Sequence, residues 1–208
     1  MSLTIKWGDV SGIQRTVNVL GRLNGAQKQL VLQRAVNHTG AKALTQVSRT
    51  LARQTGLPYG TIKSALKVRK AGGASISATS RTINVSEGAS LVYEISSSGG
   101  DISLKYFGAR ETRAGVSAAP FGKRQQFAGS FIKGGRFPNR VAAKGLHGHV
   151  YRRAGKDRRP LDFLDSGVVI PSEMVKGATA RVFMETVTKD LPDRVMHEIG
   201  FLVPGFFD

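Results

Sequence analysis

The stretch AQKQLVLQRAVNHTGAKALTQVSRTLARQ, residues 26–54, decides the fold. Leu32, Val36, Ala43, Val47 and Leu51 recur at helical spacing and fall within about one-third of the helical wheel, with Gly40 in the remaining gap. Lys28, Arg34, Lys42, Arg49 and Arg53 occupy a similar arc roughly opposite. One amphipathic helix follows, on the order of 43 Å long at ~1.5 Å per residue. That is long for a small domain, so part of it is expected to pack on something other than its own sheet. Its basic side asks for an anionic partner, a neighbouring subunit or full solvation, and the wheel does not choose among them.

Working outward, Ser11 and Gln14 have the spacing of a capping box for a short helix carrying Ile13, Val17 and Leu20, which Asn24-Gly25 ends or breaks. After the long helix, Gly56 and Pro58 stop the pattern and open a second short helix over 58–67. Lys67, Arg69 and Lys70 lie at its end, where cations suit the helix dipole. Residues 71–74 read as a flexible joint. From 75 the period becomes that of strands, with runs at 82–85, 90–95, 102–107 and 127–132, separated by Gly- and Ser-rich loops. A Gly- and base-rich excursion over 134–148 is expected to be mobile on its own. A C-terminal helix starts near Pro171, Pro192 kinks or splits it, and the tail Phe206-Phe207 is free to dock on a neighbour. The expected fold is α+β: a long N-terminal amphipathic helix and a C-terminal helix packed on a mixed, mainly antiparallel β-sheet with long loops. A single domain over 1–208 accounts for the whole, with an N-terminal extension (1–25), a helical part (26–70), a β-rich part (75–170) and a closing helix (171–203).

Charge narrows the function. The 208 residues carry a formal net charge of +17, and no acid lies between Asp9 and Glu87, where twelve Lys and Arg do. A second basic block, 102–156, holds twelve bases against Glu111 alone, whereas the segments 87–101 and 157–208 are mildly acidic. Such a chain attracts polyanions and can also pair head-to-tail with its own copies. With no cysteine there is no disulfide scaffold, thiolate metal site or Cys nucleophile. No apolar run is long enough for a membrane span, and a soluble protein made in the cytoplasm is expected.

Catalytic chemistry is thinly provided. His147 and His149 offer two ligands where a zinc site needs three or four. Asp157, Asp162 and Asp165 form a loose acidic group beside Arg158 and Arg159, which reads as local ion pairing before it reads as a cation site. No phosphate-cradling GxxxxGK[ST] loop and no GxGxxG fingerprint occur. Neither an aromatic stacking platform nor a base-reading motif is visible, so any contact with nucleic acid is expected to be sequence-neutral. No catalytic residue, cofactor or metal is assigned.

One segment goes beyond composition. Phe107-Gly108-Ala109-Arg110, then Thr112 and Gly115-Val116-Ser117, resembles the FGAR-x-T-x-x-GVS motif of the minor tail protein Z family of long-tailed phages and prophages. A basic turn at 122–125 and an apolar strand at 129–132 follow in the same order. So do an H-x-x-V-x-x-R-x-G strand with Arg153, an R-x-P-[LI] step with Pro160, and an Ile170-Pro171 entry to the last helix. The resemblance covers most of 26–203. It implies a structural virion protein without enzyme activity or cofactor: a tail-completion component in the neck. Such a protein forms a ring, expected to be hexameric, between tail terminator and head-completion proteins, with packaged double-stranded DNA passing along the axis. It would be made in the host cytoplasm and end in the virion. Within that picture Lys28, Arg34, Lys42, Arg49, Arg53, Lys67, Arg69 and Lys70 face DNA or a neighbouring subunit. The alternative is a stand-alone, sequence-nonspecific nucleic-acid-binding protein.

Overall fold

The computed structural model of the chain describes residues 1–5, 20–76, 83–204 and 206. The capping box expected at Ser11 and Gln14 and part of the strand expected at 82–85 lie outside the described residues. The elements are β1 (Ser2–Ile5), α1 (Gly25–Thr55), α2 (Tyr59–Ala65), β2 (Leu66–Arg69), β3 (Gly72–Ile76), β4 (Ile83–Ser90), β5 (Tyr93–Ser97) and β6 (Asp101–Ser103). They continue with β7 (Arg110–Thr112), β8 (Gly115–Ala118), β9 (Gln125–Ala128), β10 (Ser130–Phe131), β11 (Tyr151–Arg153), β12 (Leu161–Phe163), β13 (Asp165–Val169), α3 (Ile170–Met174) and α4 (Gly177–Leu202). The fold is α+β. Every described strand pairing is antiparallel, and the strands form five small sheets rather than one.

Two compact units divide the chain: Met1–Ser48 with Leu66–Ser97 and Met174–Asp208, and Arg49–Ala65 with Ser98–Glu173. In the first unit, the helical residues Leu20 and Gly21 end ahead of Asn24, and Asn24 opens α1. Its Oδ1 accepts the Gln27 amide at 2.8 Å, while Gln27 Oε1 accepts the Asn24 amide at 3.3 Å, a reciprocal cap. Strand β5 is the centre of the β1-β5-β2 sheet and contributes buried Tyr93 and Ile95. Gly40 lets α1 sit on that ring: a Cβ there would lie 2.4 Å from Tyr93 Cγ. Helix α4 buries Phe183, Val187, Leu191, Val195 and Ile199 as one stripe and runs unbroken through Pro192, so the expected split does not occur.

The apolar residues expected on α1 are all buried, but so are Leu30, Val31 and Ala35, which widens the covered arc. The segment 71–74 is not a loose joint. Asn37 Nδ2 donates to Ala71 O (2.9 Å) and its Oδ1 accepts the Ala71 amide (2.9 Å). One helical turn earlier, Gln33 does the same to Ala74, at 2.8 and 2.7 Å. Two carboxamides on one face of α1 thus bond the start of β3 as a neighbouring strand would.

In the second unit, the end of α1 is fixed by Gly56, whose φ of 78° and close approach (2.5 Å from a Cβ position to Gly122 N) exclude a side chain. Gln54 Nε2 donates to the buried Glu173, at 2.8 Å to its Oε2 and 3.0 Å to its carbonyl. The short helix ends at Ala65, and Lys67 and Arg69 lie on β2 instead of at a helix terminus. The alternating run 102–107 leaves the strand at Ser103 and turns into a 3-10 helix, closed by Gly108 in the left-handed region. The expected loop 108–122 contains the β7–β8 hairpin, and Gly129 (φ 67°) breaks the strand expected over 127–132 into β9 and β10.

Candidate functional site

The basic positions of α1 separate into two groups. Arg34 and Lys42 face acids of α4: Arg34 Nε lies 2.8 Å from Glu198 Oε2, without hydrogen-bond alignment, and Lys42 Nζ lies 2.6 Å from Asp190. Eight residues forward on α1 match eight residues back on α4, so the two helices run antiparallel with this row between them. Glu198 is buried, and Arg194 on its own helix also pairs with it. Burial, then the positive charge of Arg194, holds the His38 imidazole below its ordinary value. By contrast Lys28, Arg49 and Arg53 are exposed, with no ion pair among the described residues; Arg53 reaches only the Thr50 hydroxyl, at 3.3 Å. On β2, Arg69 pairs across the sheet with Glu94 at 2.9 Å, while the exposed Lys67 and Lys70 have no acid among the described residues. The acid-free stretch is therefore balanced in part within its own chain, by acids that sequence distance conceals.

The motif residues 107–117 form a knot rather than a strand and a loop. Phe107 is buried and its carbonyl accepts the Ala119 amide at 3.0 Å. Thr112 Oγ1 donates to Gly115 O at 2.9 Å across the β7–β8 turn and accepts from Gln126 at 2.8 Å. Gly115 has φ 140°, and a Cβ there would lie 2.1 Å from Phe127 O, so β8 and β9 approach too closely for any other residue. Val116 is fully buried, and its amide donates to Ser130 Oγ at 3.0 Å. Arg124 joins the two halves of the motif, donating to Gly108 O (3.5 Å) and to Ser117 O (3.3 Å). Ala109 and the exposed Arg110 border a cleft of about 380 Å³ with Glu111.

Glu111 is the residue the sequence did not single out. Its Oε1 accepts the Ile132 amide (2.5 Å), the Lys133 amide (2.8 Å) and Arg140 Nη1 (3.0 Å), and so ties the base of the 134–148 excursion to β7. Burial alone would raise its pKa, but the two amides and the guanidinium outweigh that and hold the carboxyl below the usual Glu value. The available signal was its solitude: one acid among twelve bases.

His149 goes to a structural contact. His149 Nδ1 lies 2.8 Å from Ser103 Oγ, and its Nε2 lies 3.4 Å from Lys105 Nζ. Burial, then Lys105 and His147, lowers its pKa. Burial, then Asp101, raises that of Asp165. Among the described residues no ion pair joins Asp157 or Asp162 to Arg158 or Arg159, contrary to the local pairing expected; the β11–β12 register sets Asp162 opposite Arg152. Among the described residues no three His, Asp or Glu side chains converge as a metal site. Arg153 on β11 and Pro160, whose carbonyl accepts the Ala154 amide at 3.2 Å, close the β11–β12 hairpin.

What these features define is a basic α+β protein with tightly pinned loops and a cationic surface that its own acids neutralise only in part. The model of the prophage minor tail protein Z (GPZ) family matches residues 10–203. The chain belongs to that family, as its motif residues implied, and is a structural protein of a phage tail, located in the virion. No curated protein and no solved structure matches it. Among the described residues no helix is long and apolar enough to cross a membrane.

Proposed function

We propose that this tail protein is a tail-completion component that forms a ring, hexameric like a sixfold tail, at the head–tail junction, with packaged double-stranded DNA passing through it. The observation that supports this reading is the surplus of exposed cations without an acid partner on a member of a tail-protein family: Lys28, Arg49, Arg53, Lys67 and Lys70 among the described residues. Phosphate contacts carry no sequence information, so a cationic lining tolerates moving DNA. In this arrangement the tail terminator and head-completion proteins are the axial neighbours, and the protein acts without catalysis. Assembly takes place in the host cytoplasm.

A reconstruction of the head–tail junction tests the proposal: a ring of this chain at the head-proximal end of the tail is expected, and density at the tail tip overturns it. In particles carrying Arg49→Glu with Arg53→Glu, the purified chain keeps its fold while the yield of infectious particles falls; unchanged yield rules out a role for that face. Tight duplex binding by an isolated monomer that never joins tails favours a stand-alone nucleic-acid-binding protein instead.

A further inference from the structure

A cleft of about 760 Å³ opens in the second unit. Lys133, Arg140, Arg153, Arg158 and Arg159 line it, and among the described residues no acidic one does. Of these five, only Arg140 has an acid partner among the described residues, and that partner, Glu111, holds it in place from outside the cleft. The volume is that of a small-molecule pocket, roughly 300–1,000 Å³. The same cleft contains two half-buried aromatic rings, Phe131 and Tyr151, which the sequence keeps twenty residues apart. Strand register unites them: Phe131 is the cross-strand partner of Tyr151, and Tyr151 of Phe163. Cross-strand partners share a sheet face, and Arg153, two residues beyond Tyr151, shares it too. Each ring is held by a neighbour: Tyr151 meets Phe163 edge-on at 5.5 Å between centroids, and the Arg140 guanidinium carbon lies 6.0 Å from the Phe131 centroid.

We propose that this cleft binds a short single-stranded segment of nucleic acid, with bases against Phe131 and Tyr151 and phosphates on Lys133, Arg153, Arg158 and Arg159. A cationic track beside aromatic rings is the pairing that single strands select, because every base has a π-face and every linkage a charge. A duplex hides its base faces within the stack and presents a convex surface, so it cannot lay bases on rings that line a cleft. An acidic peptide would satisfy the cations but leave the rings without a role. Gly134, Gly135 and Gly145 also line the cleft and present no side chain, which lets a sugar–phosphate backbone come close. The site belongs to one protomer and does not depend on the ring or on its place in the virion.

The test uses the full chain and fluorescence anisotropy with labelled dT12, the matched duplex, and an oligoglutamate peptide as competitor. The expected result is tighter binding of dT12 than of duplex. Tyr151→Leu, which keeps an apolar contact with Phe163, weakens dT12 by between about fivefold and 150-fold, the equivalent of one lost stacked base, and leaves duplex binding unchanged. Arg153→Gln with Arg158→Gln, both on the exposed hairpin, lowers the salt slope for dT12 by about 1.4, or ~0.7 per phosphate contact. That second variant keeps the question answerable if Tyr151→Leu fails to fold. Duplex binding equal to or tighter than dT12, a salt slope untouched by the double variant, or displacement of dT12 by equimolar oligoglutamate each overturns the proposal.

Discussion

Replacing Glu111 by Ala removes one oxygen that serves three donors. The Ile132 amide, half-buried, is left without an acceptor, which costs about 1–3 kcal/mol. Arg140, whose side chain is only 18% exposed, loses its counter-charge, and its Nε already has no partner among the described residues. The Lys133 amide is exposed and recovers a bond to water. Allowing for that recovery and for non-additivity, the loss is about 3 kcal/mol, at the lower end for a broken buried pair. Hydrogen exchange is the suitable assay, because the loss falls on one segment. A decrease of about 3 kcal/mol in local opening free energy speeds exchange over residues 132–141 roughly 150-fold. Glu111→Gln keeps an oxygen for the amides and loses only the charge, so its effect is about tenfold. The sign with pH follows from the depressed carboxyl: its contribution is complete above the unfolded Glu value of about 4.3 and is lost as pH falls through the lower folded value. Glu111→Gln therefore flattens the acid limb of the stability curve. Unchanged exchange over 132–141 in Glu111→Ala refutes the anchoring role, and equal effects of Ala and Gln refute the part assigned to the amides.

Three further outcomes follow from the packing. Arg194→Ala leaves buried Glu198 with Arg34 as its one cation among the described residues and costs about 2–3 kcal/mol, whereas Lys42→Ala breaks a half-exposed pair and costs under about 1 kcal/mol; equal shifts in urea midpoint contradict the α1–α4 seam. Gly115→Ala must move the Phe127 carbonyl and hold a positive φ, so a loss of at least about 2 kcal/mol is expected, read from thermal unfolding, and a neutral substitution contradicts the close approach of β8 and β9. Because the folded pKa of His149 is depressed, its contribution is present above the unfolded value of about 6.5 and is lost as pH falls through the folded value. His149→Gln should reduce the slope of stability between pH 7 and the folded pKa, and an identical slope in that variant dismisses the contribution.

The apolar stripe of α1 was legible because burial on one face leaves a period of 3.6 in the sequence itself, and Gly40 showed as its single gap. The family motif was legible as an order of residues, but its geometry was not. Phe107 gives its carbonyl to Ala119, and that bond turns an alternating run out of the strand. The partners of Arg34 and Lys42 sit on α4, at the far end of the chain, where no local pattern can reach them. Phe131 and Tyr151 looked isolated because only the β10–β11 register makes them neighbours. What escaped the reading was long-range pairing, and it escaped for one reason: hydrogen bonds and ion pairs leave no periodic trace.

The two carboxamides of α1 show where such information resides. Gln33 and Asn37 address only the main-chain groups of Ala71 and Ala74, so the helix reads the path of this segment through its backbone. That path in turn demands small residues: Ala71 and Ala74 are buried, and Gly73, at φ 104°, would set a Cβ 2.3 Å from Ala89 Cα. The helix positions are constrained by chemistry instead: Asn37→Asp or Gln33→Glu exchanges a donor for a second acceptor and sets a carboxylate oxygen against a peptide carbonyl. The constraint on where β3 begins is thus written 34 and 41 residues upstream, in a helix, in the alphabet of amide groups.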